Sequence, residues 1–463
     1  MKNKNELFER MPVPQAVLYL GLPTMAGMAL TVLYGMADMI FVGMAGDAEQ
    51  LAVIALLSPV TTVAMSVGAV FGIGGSSCLS RQLGAKQRRE AARTGSFCFY
   101  SALFLGLLST AAGLVLLPAV LQILGAGGSM APLAVRCGRL LLIGTTPAVL
   151  SFTLNQLIRA AGNAGEAMNG MVVGALVNVA ADPFFILFLD MGAEGSAAAA
   201  LLTDLVSLIY YIRVIRRTET ISLSLSDFRA SRSTVKSIFA IGIPSAVTHF
   251  LVSISGVFFN RLCMRHGEHV VAAFSVARRV MMMPNMISLG LAKGAQPLIG
   301  YNYAAGNLRR MRRAVFFSCV FGTVICSFFS VFVFLRSGGL IQLFTNDPDV
   351  VWLGMVVLKA ILFAMPIAAF DTVLLAAFQA MGEASTIFFL SVGKQALLYL
   401  PLMFLADRFL GLSGLILLEP LKEYLSAILS FLFYFFLMRR CGQGHTHLSS
   451  SSKRHRSLSA ASR

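Results

Sequence analysis

Asp38, Asn178 and Asp182 are the residues of this chain whose types and surroundings can do chemistry. Asp38 sits inside GLPTMAGMALTVLYGMADMIFVG, residues 21–43, an apolar run long enough to cross a bilayer. A carboxylate placed there costs several kcal/mol, so by default it faces a protein-lined cavity and has a task. In VGALVNVAADPFF, Asn178 and Asp182 are four residues apart and share one face of a helix. Two carboxylates and a carboxamide supply hard oxygen ligands for a small cation. Equally, two buried acids held near each other do not both ionise easily, and such a pair suits a proton carrier. Pro183 directly follows Asp182 and should loosen the helix beside it, because it cannot donate to the helical ladder. Tyr34 lies one turn before Asp38 and can donate to it, or simply pack in the bundle. His249, in a later apolar run, is a titratable candidate near neutral pH and equally a hydrogen-bonding core residue.

The elements that must position these side chains are membrane helices. The chain has 463 residues, 57% of them hydrophobic and only 13% charged, and its mean hydropathy is +0.77. Such a composition is too poor in charge to cover a soluble globule of this size. Continuous apolar runs without period-two alternation indicate spanning helices and not a barrel. We place twelve, at 14–43, 51–78, 94–122, 133–158, 168–189, 193–212, 237–264, 270–300, 314–335, 350–378, 385–407 and 411–438. The first run is longer than a signal-peptide core and lacks a convincing cleavage site, so it is expected to remain as a span.

The formal charge of +16 raises the question of nucleic acid, but topology accounts for it. With the N-terminus inside, inside segments hold 25 basic residues and outside loops 6, which predicts both termini in the cytoplasm and no nucleic-acid partner. The seven cysteines are scattered and mostly within apolar runs, so they read as small core residues. The expected division is an N-terminal segment 1–13, an N-lobe 14–215, a linker 216–236, a C-lobe 237–438 and a basic, disordered tail 439–463.

Two halves are visible in the sequence itself. The stretch beginning at Gly21 aligns with GIPSAVTHFLVSISGVFFNRLCMRHGEHVVAA from Gly242 at an offset of 221, pairing Pro23 with Pro244 and Gly35 with Gly256. Pro147 meets Pro366, Gly192 meets Gly411 and Gly195 meets Gly414 at an offset of 219. Six spans per half make the repeats parallel, as in secondary transporters whose substrate site lies between the halves. The repeat also sorts the remaining acids. Asp204 aligns with Glu423, and an acid shared by both halves reads as architectural. Asp38 faces Phe259, Asp182 faces Pro401 and Asp371 faces Phe152, so these three belong to one half each. Lys394, Gln296 beside Lys293, Met282 in VMMMPNM and Phe259 are candidate lining for a substrate cavity, with snorkelling, ion pairing or lipid contact as their ordinary alternatives.

These residues resemble the MATE family, multidrug and toxic compound extrusion transporters of bacteria. YGMADMIFVG, GALVNVAADPFFI, GAQPLIGYNYAAGNLRR and FQAMGEAS carry the resemblance, which extends over about residues 10–440. It implies an all-α integral membrane fold with twelve transmembrane helices in two pseudo-symmetric six-helix lobes around a central cavity. It places the cation-coupling site, for sodium or protons, on Asp38, Asn178 and Asp182. Asp371 falls near a tenth-span acid found in some members. The sixth-span threonine of some members falls on Ala200, with Thr203 nearby but out of register. The implied activity is secondary antiport of small organic, cationic substrates by a monomer in the bacterial inner membrane, with no cofactor beyond the coupling ion. A lipid-linked precursor flippase is the alternative within the transporter class. A membrane-embedded enzyme is a remoter one, because the spans hold only the isolated His249 and no HExxH or GxSxG motif.

Overall fold

A computed structural model describes residues 6–44, 50, 53–54, 56–123, 130–218 and 220–460. The expected start of the second span at 51, 52 and 55 lies outside the described residues, as do 1–5 and 461–463. The N-lobe helices are α1 (Val13–Met44), α2 (Ser58–Gly84), α3 (Arg88–Ile123), α4 (Met130–Ala160), α5 (Ala164–Pro183) and α6 (Gly192–Arg216). The C-lobe begins with α7 (Arg232–Arg265), α8 (Glu268–Ala304), α9 (Leu308–Leu335) and α10 (Pro348–Met381). Among the described residues eleven helices are long and apolar enough to cross a membrane, and the last of them, Ala384–Arg440, has 57 residues. At about 1.5 Å per residue that is well over twice a hydrocarbon core of about 30 Å, so it must be two spans. Gly411, at φ 56° and ψ −136°, is where it divides. We call 384–410 α11 and 412–460 α12.

The helices run past the apolar stretches because Lys- and Arg-bearing turns continue them beyond hydrocarbon. The expected linker shrinks to 217–231 for this reason and lies along α3. Ser96 Oγ and Tyr100 Oη donate to the carbonyls of Ser224 (2.7 Å) and Leu223 (3.0 Å), and Phe228 stacks on Phe97. The backbone of α12 runs on to Ala460. A preformed helix end propagates without repeating the cost of nucleation.

The sequence repeat reappears in the backbone. Gly192 and Gly411 open the sixth and twelfth spans at φ 54° and 56°, and Gly162 and Gly382 turn the fourth and tenth helices at φ 86° and 83°. Only glycine adopts this left-handed region at no steric cost. Between the lobes, α1 packs on α8 and α2 on α7, two contacts that the repeat exchanges. This seam needs small residues. A Cβ on Gly74 would lie 2.2 Å from the Ile238 oxygen, and one on Gly242 would lie 2.2 Å from the Val70 oxygen.

The seam is packed on the side that carries both termini, where Val17, Leu20, Ile73, Ile241, Leu291 and Leu298 share one buried core. The segment Glu6–Arg10 closes over that core. Phe8 stacks on Tyr301 with ring centroids 4.7 Å apart, and Arg310 Nε donates to the Phe8 carbonyl at 2.7 Å. Tyr301 Oη donates to Glu9 at 2.8 Å.

Candidate functional site

The N-lobe site begins with the turn that starts α6. The Gln50 side chain accepts from the Ala193 amide at 2.9 Å, and a Cβ on Gly195 would lie 2.8 Å from the Phe185 backbone. This close approach seats α6 against the π-helical turn Phe184–Phe188 that continues α5 after Pro183. Ser196, one turn into α6, donates to Asp38 Oδ1 at 2.7 Å. Asn178 Nδ2 makes a long contact of 3.4 Å to Asp182 Oδ1. Asp38 and Asp182 lie within Coulombic reach of each other, so the structure brings α1, α5 and α6 together at these acids.

Three buried acceptor oxygens here have no partner. Asp182 is fully buried and Asn178 nearly so. Asp182 Oδ2, Asn178 Oδ1 and Thr203 Oγ1 are buried with no hydrogen-bond partner, and the second oxygen of Asp38 is in no hydrogen bond described here. Thr203 packs toward α5, its Cγ2 3.4 Å from where a Cβ on Gly174 would stand, one turn from Asn178. Buried polar atoms are ordinarily satisfied. The exceptions here are oxygens of one acid, one amide and one hydroxyl, carried by α5 and α6.

Below these residues a cavity of about 370 Å³ runs inside the N-lobe, lined among others by Tyr34, Ala200, Thr203, Asp204, Asn155 and Arg159. Tyr34 faces this cavity, within Coulombic reach of Asp38, Asp182 and Asp204. The hydrogen bond that Asp38 accepts comes from Ser196, not from Tyr34 as the sequence suggested. Asp204, read from the repeat as architectural, lines the cavity and has no cationic partner among the ion pairs of the described residues.

The C-lobe acids are arranged in the opposite way. Lys394 Nζ donates to Asp371 at 2.8 Å and to Glu423 at 2.9 Å. Lys422 bridges Glu423 (3.1 Å) and Glu419 (2.5 Å), and Arg278 reaches Glu419 at 3.4 Å. Ser426 and Ser430 also donate to Asp371. Three acids thus meet three cations.

The candidate substrate residues do not line one cavity. Phe259 is fully buried in the C-lobe core, where Arg278 covers its ring at 4.2 Å and Phe274 packs edge-on. Its size and apolar character suit a core as well as a binding wall. Met282 is exposed on α8, Lys394 is held in the ion-pair network, and Gln296 is buried at the seam. His249 is half-buried on α7, within Coulombic reach of Lys293. Lys293 and Arg159 come near each other at the seam around a hole of about 10 Å³. That is too small for a pyrophosphate, so these two cations lend no support to a lipid-linked cargo. The six cysteines with described side chains are buried and free.

The comparison with known proteins now bears on one point, the repeat. The MatE family model matches this chain twice, over residues 23–184 and 244–405, both boundaries shifted by 221. The chain belongs to the MatE family. Multidrug export protein MepA of Staphylococcus aureus is 27% identical over 436 residues, covering 94% of this chain and 96% of that protein. Among solved structures, an outward-facing multidrug resistance MATE family transporter of the MOP superfamily superposes with a TM-score of 0.88 at 27% identity, covering 95% of this chain and 99% of that one. A MOP superfamily transporter from Pyrococcus furiosus, described as having a binding pocket of reverse polarity, reaches 0.90 at 26% identity over 96% and 99%. The fold is therefore the twelve-helix, two-lobe fold of MATE transporters, in a multi-pass membrane protein.

Proposed function

We propose that this transporter exports small organic, cationic molecules by antiport against a sodium ion or a proton bound at Asp38, Asn178 and Asp182. The observation that carries the reading is the set of unpartnered acceptor oxygens on Asp182, Asn178 and Thr203 beside two acids that lack a cationic partner. The cavity below them, with Asp204, Tyr34 and Arg159 in its wall, offers a carboxylate without an ion-pair partner and an aromatic face to a cationic substrate. Ser196 holds the Asp38 carboxylate on α6 while Asp182 sits at the broken end of α5, so a bound cation ties three helices whose relative positions set the cavity. Linkage requires that cation and substrate each disfavour the state the other prefers.

The packed seam on the termini side supports a state closed toward the cytoplasm, on the orientation predicted by the basic residues. Drug efflux from cells or vesicles carrying Asp38→Asn is the test. Cation-driven efflux should be lost while the protein remains folded in the membrane. Efflux at the wild-type rate would remove Asp38 from coupling.

A further inference from the structure

The N-lobe cavity stands where the C-lobe keeps its ion-pair network. At the repeat offset of 219, Phe152, Ala175, Ala200, Thr203 and Asp204 correspond to Asp371, Lys394, Glu419, Lys422 and Glu423. All five N-lobe residues line the cavity of about 370 Å³. Their five counterparts all belong to the network, in which Lys394 Nζ and Lys422 Nζ meet Glu423 at 2.9 and 3.1 Å. In the N-lobe the acid remains, while an alanine and a threonine stand in place of the two lysines. The space that lysine side chains would fill is open.

Asp204 takes part in no hydrogen bond or ion pair among the described residues. Arg159 lines the same cavity, but Asn155 and Gln156 hold it beside Tyr211, about two helical turns beyond Asp204 on α6. Asp38 and Asp182 do not line the cavity. Ser196, which holds Asp38, comes two turns before Asp204 on the same helix, a rise of about 12 Å. The cavity thus presents one uncompensated carboxylate, set apart from the two acids of the cation site. Such a group is costly until a positive charge meets it.

We propose that Asp204 is the residue that selects the substrate. A lipophilic organic cation binds in the cavity with its positive centre against Asp204, as Lys394 Nζ stands against Glu423, and with its apolar body along Tyr34, Phe152 and Met171. This assignment rests on the export reading above and adds that the acid which recognises the substrate is not one of those that hold the coupling cation. Tyr34 lies between the two sites, within Coulombic reach of Asp204, Asp38 and Asp182. Positive charges in the two sites repel each other over this short separation, which supplies the mutual disfavour that antiport requires.

The test is equilibrium binding of radiolabelled methyltriphenylphosphonium, a permanent cation without hydrogen-bond donors, to the purified full-length protein. Sodium binding and proton uptake are measured on the same samples. The wild type should bind one probe per chain. Asp204→Asn should weaken that binding about tenfold or more while keeping the cation site, and Asp38→Asn should do the reverse. Asp204→Glu, which keeps the charge, should retain the probe. Ala175→Lys, which supplies the ammonium from within the chain, should exclude it, and the two Asp204 variants decide the matter if this one folds poorly. Probe affinity unchanged in Asp204→Asn, or lost equally in Asp204→Glu, would overturn the assignment. A wild type that binds the probe through Asp204 but neither sodium nor protons would refute the coupling site and leave this assignment standing.

Discussion

Replacing Lys394 by methionine should destabilise the protein far more than replacing Asp182 by asparagine. Lys394 Nζ lies 2.8 Å from Asp371 and 2.9 Å from Glu423, and all three side chains are mostly shielded, at 21%, 6% and 16% exposure. Without the ammonium, two carboxylates face each other in a low-dielectric setting, with only hydroxyls and Lys422 beside them. Removing one partner of a buried pair costs about 3–5 kcal/mol, and the partial exposure of Lys394 argues for the lower end. For 463 residues, an unfolding entropy of about 2 cal/mol/K per residue converts this into a drop of about 3–5 °C. Asp182→Asn instead removes a charge that has no cationic partner and keeps a polar side chain of the same shape. Its midpoint in cation-free buffer should therefore stay at or above the wild type. Thermal unfolding of the two purified variants, followed by dye labelling of the buried cysteines, measures both. Equal destabilisation would mean that Asp182 is braced by a cation as Asp371 is, and the contrast between the lobes would be wrong.

Two further outcomes follow from the geometry. Ser196→Ala removes the 2.7 Å hydrogen bond to Asp38, and a bond to a charged group is worth about 1.5–3 kcal/mol. The apparent affinity for the coupling cation should change about tenfold or more in proteoliposome efflux titrations, while the rate at saturating cation is less affected. Phe8→Ala removes the stack on Tyr301 and leaves a void beside Gly162. A loss of about 3 kcal/mol in stability is expected, together with faster thiol labelling of Cys78, which is buried on α2 near the seam.

The twelve spans were legible because each is a long apolar run, and the two lobes because glycines and prolines recur at a nearly fixed spacing. The similar positive φ angles of Gly192 and Gly411 give a reason for that spacing, since the backbone at both positions favours glycine. That Asn178 and Asp182 meet on one helix face was legible through their four-residue spacing. Ser196 was passed over, although it is the one hydroxyl in the run GAEGSAAAA that starts the sixth span. The substrate residues were the least legible. A phenylalanine such as Phe259 carries no mark that distinguishes a core contact from a cavity wall, and only its neighbours decide.

Asp204 is placed differently from its repeat partner Glu423, and the sequence contains the reason. Aligning it with Glu423 at an offset of 219 made both acids architectural. The same offset sets Thr203 against Lys422 and Ala175 against Lys394. Both lysines that hold Glu423 in the C-lobe are thus replaced in the N-lobe by groups without charge. The acid is shared by the repeat, but its neutralisation is not. A carboxylate that one lobe pairs internally is left in the other facing a cavity, beside two more acids without cationic partners. Desolvation makes such a set costly until positive charge arrives from outside the chain. On this reading the C-lobe is braced by its ion pairs, and the lobe with the uncompensated acids is the one whose shape depends on what it has bound. Under the proposed function, coupling would fall to the N-lobe because of which lysines that lobe lacks, as much as because of which acids it holds.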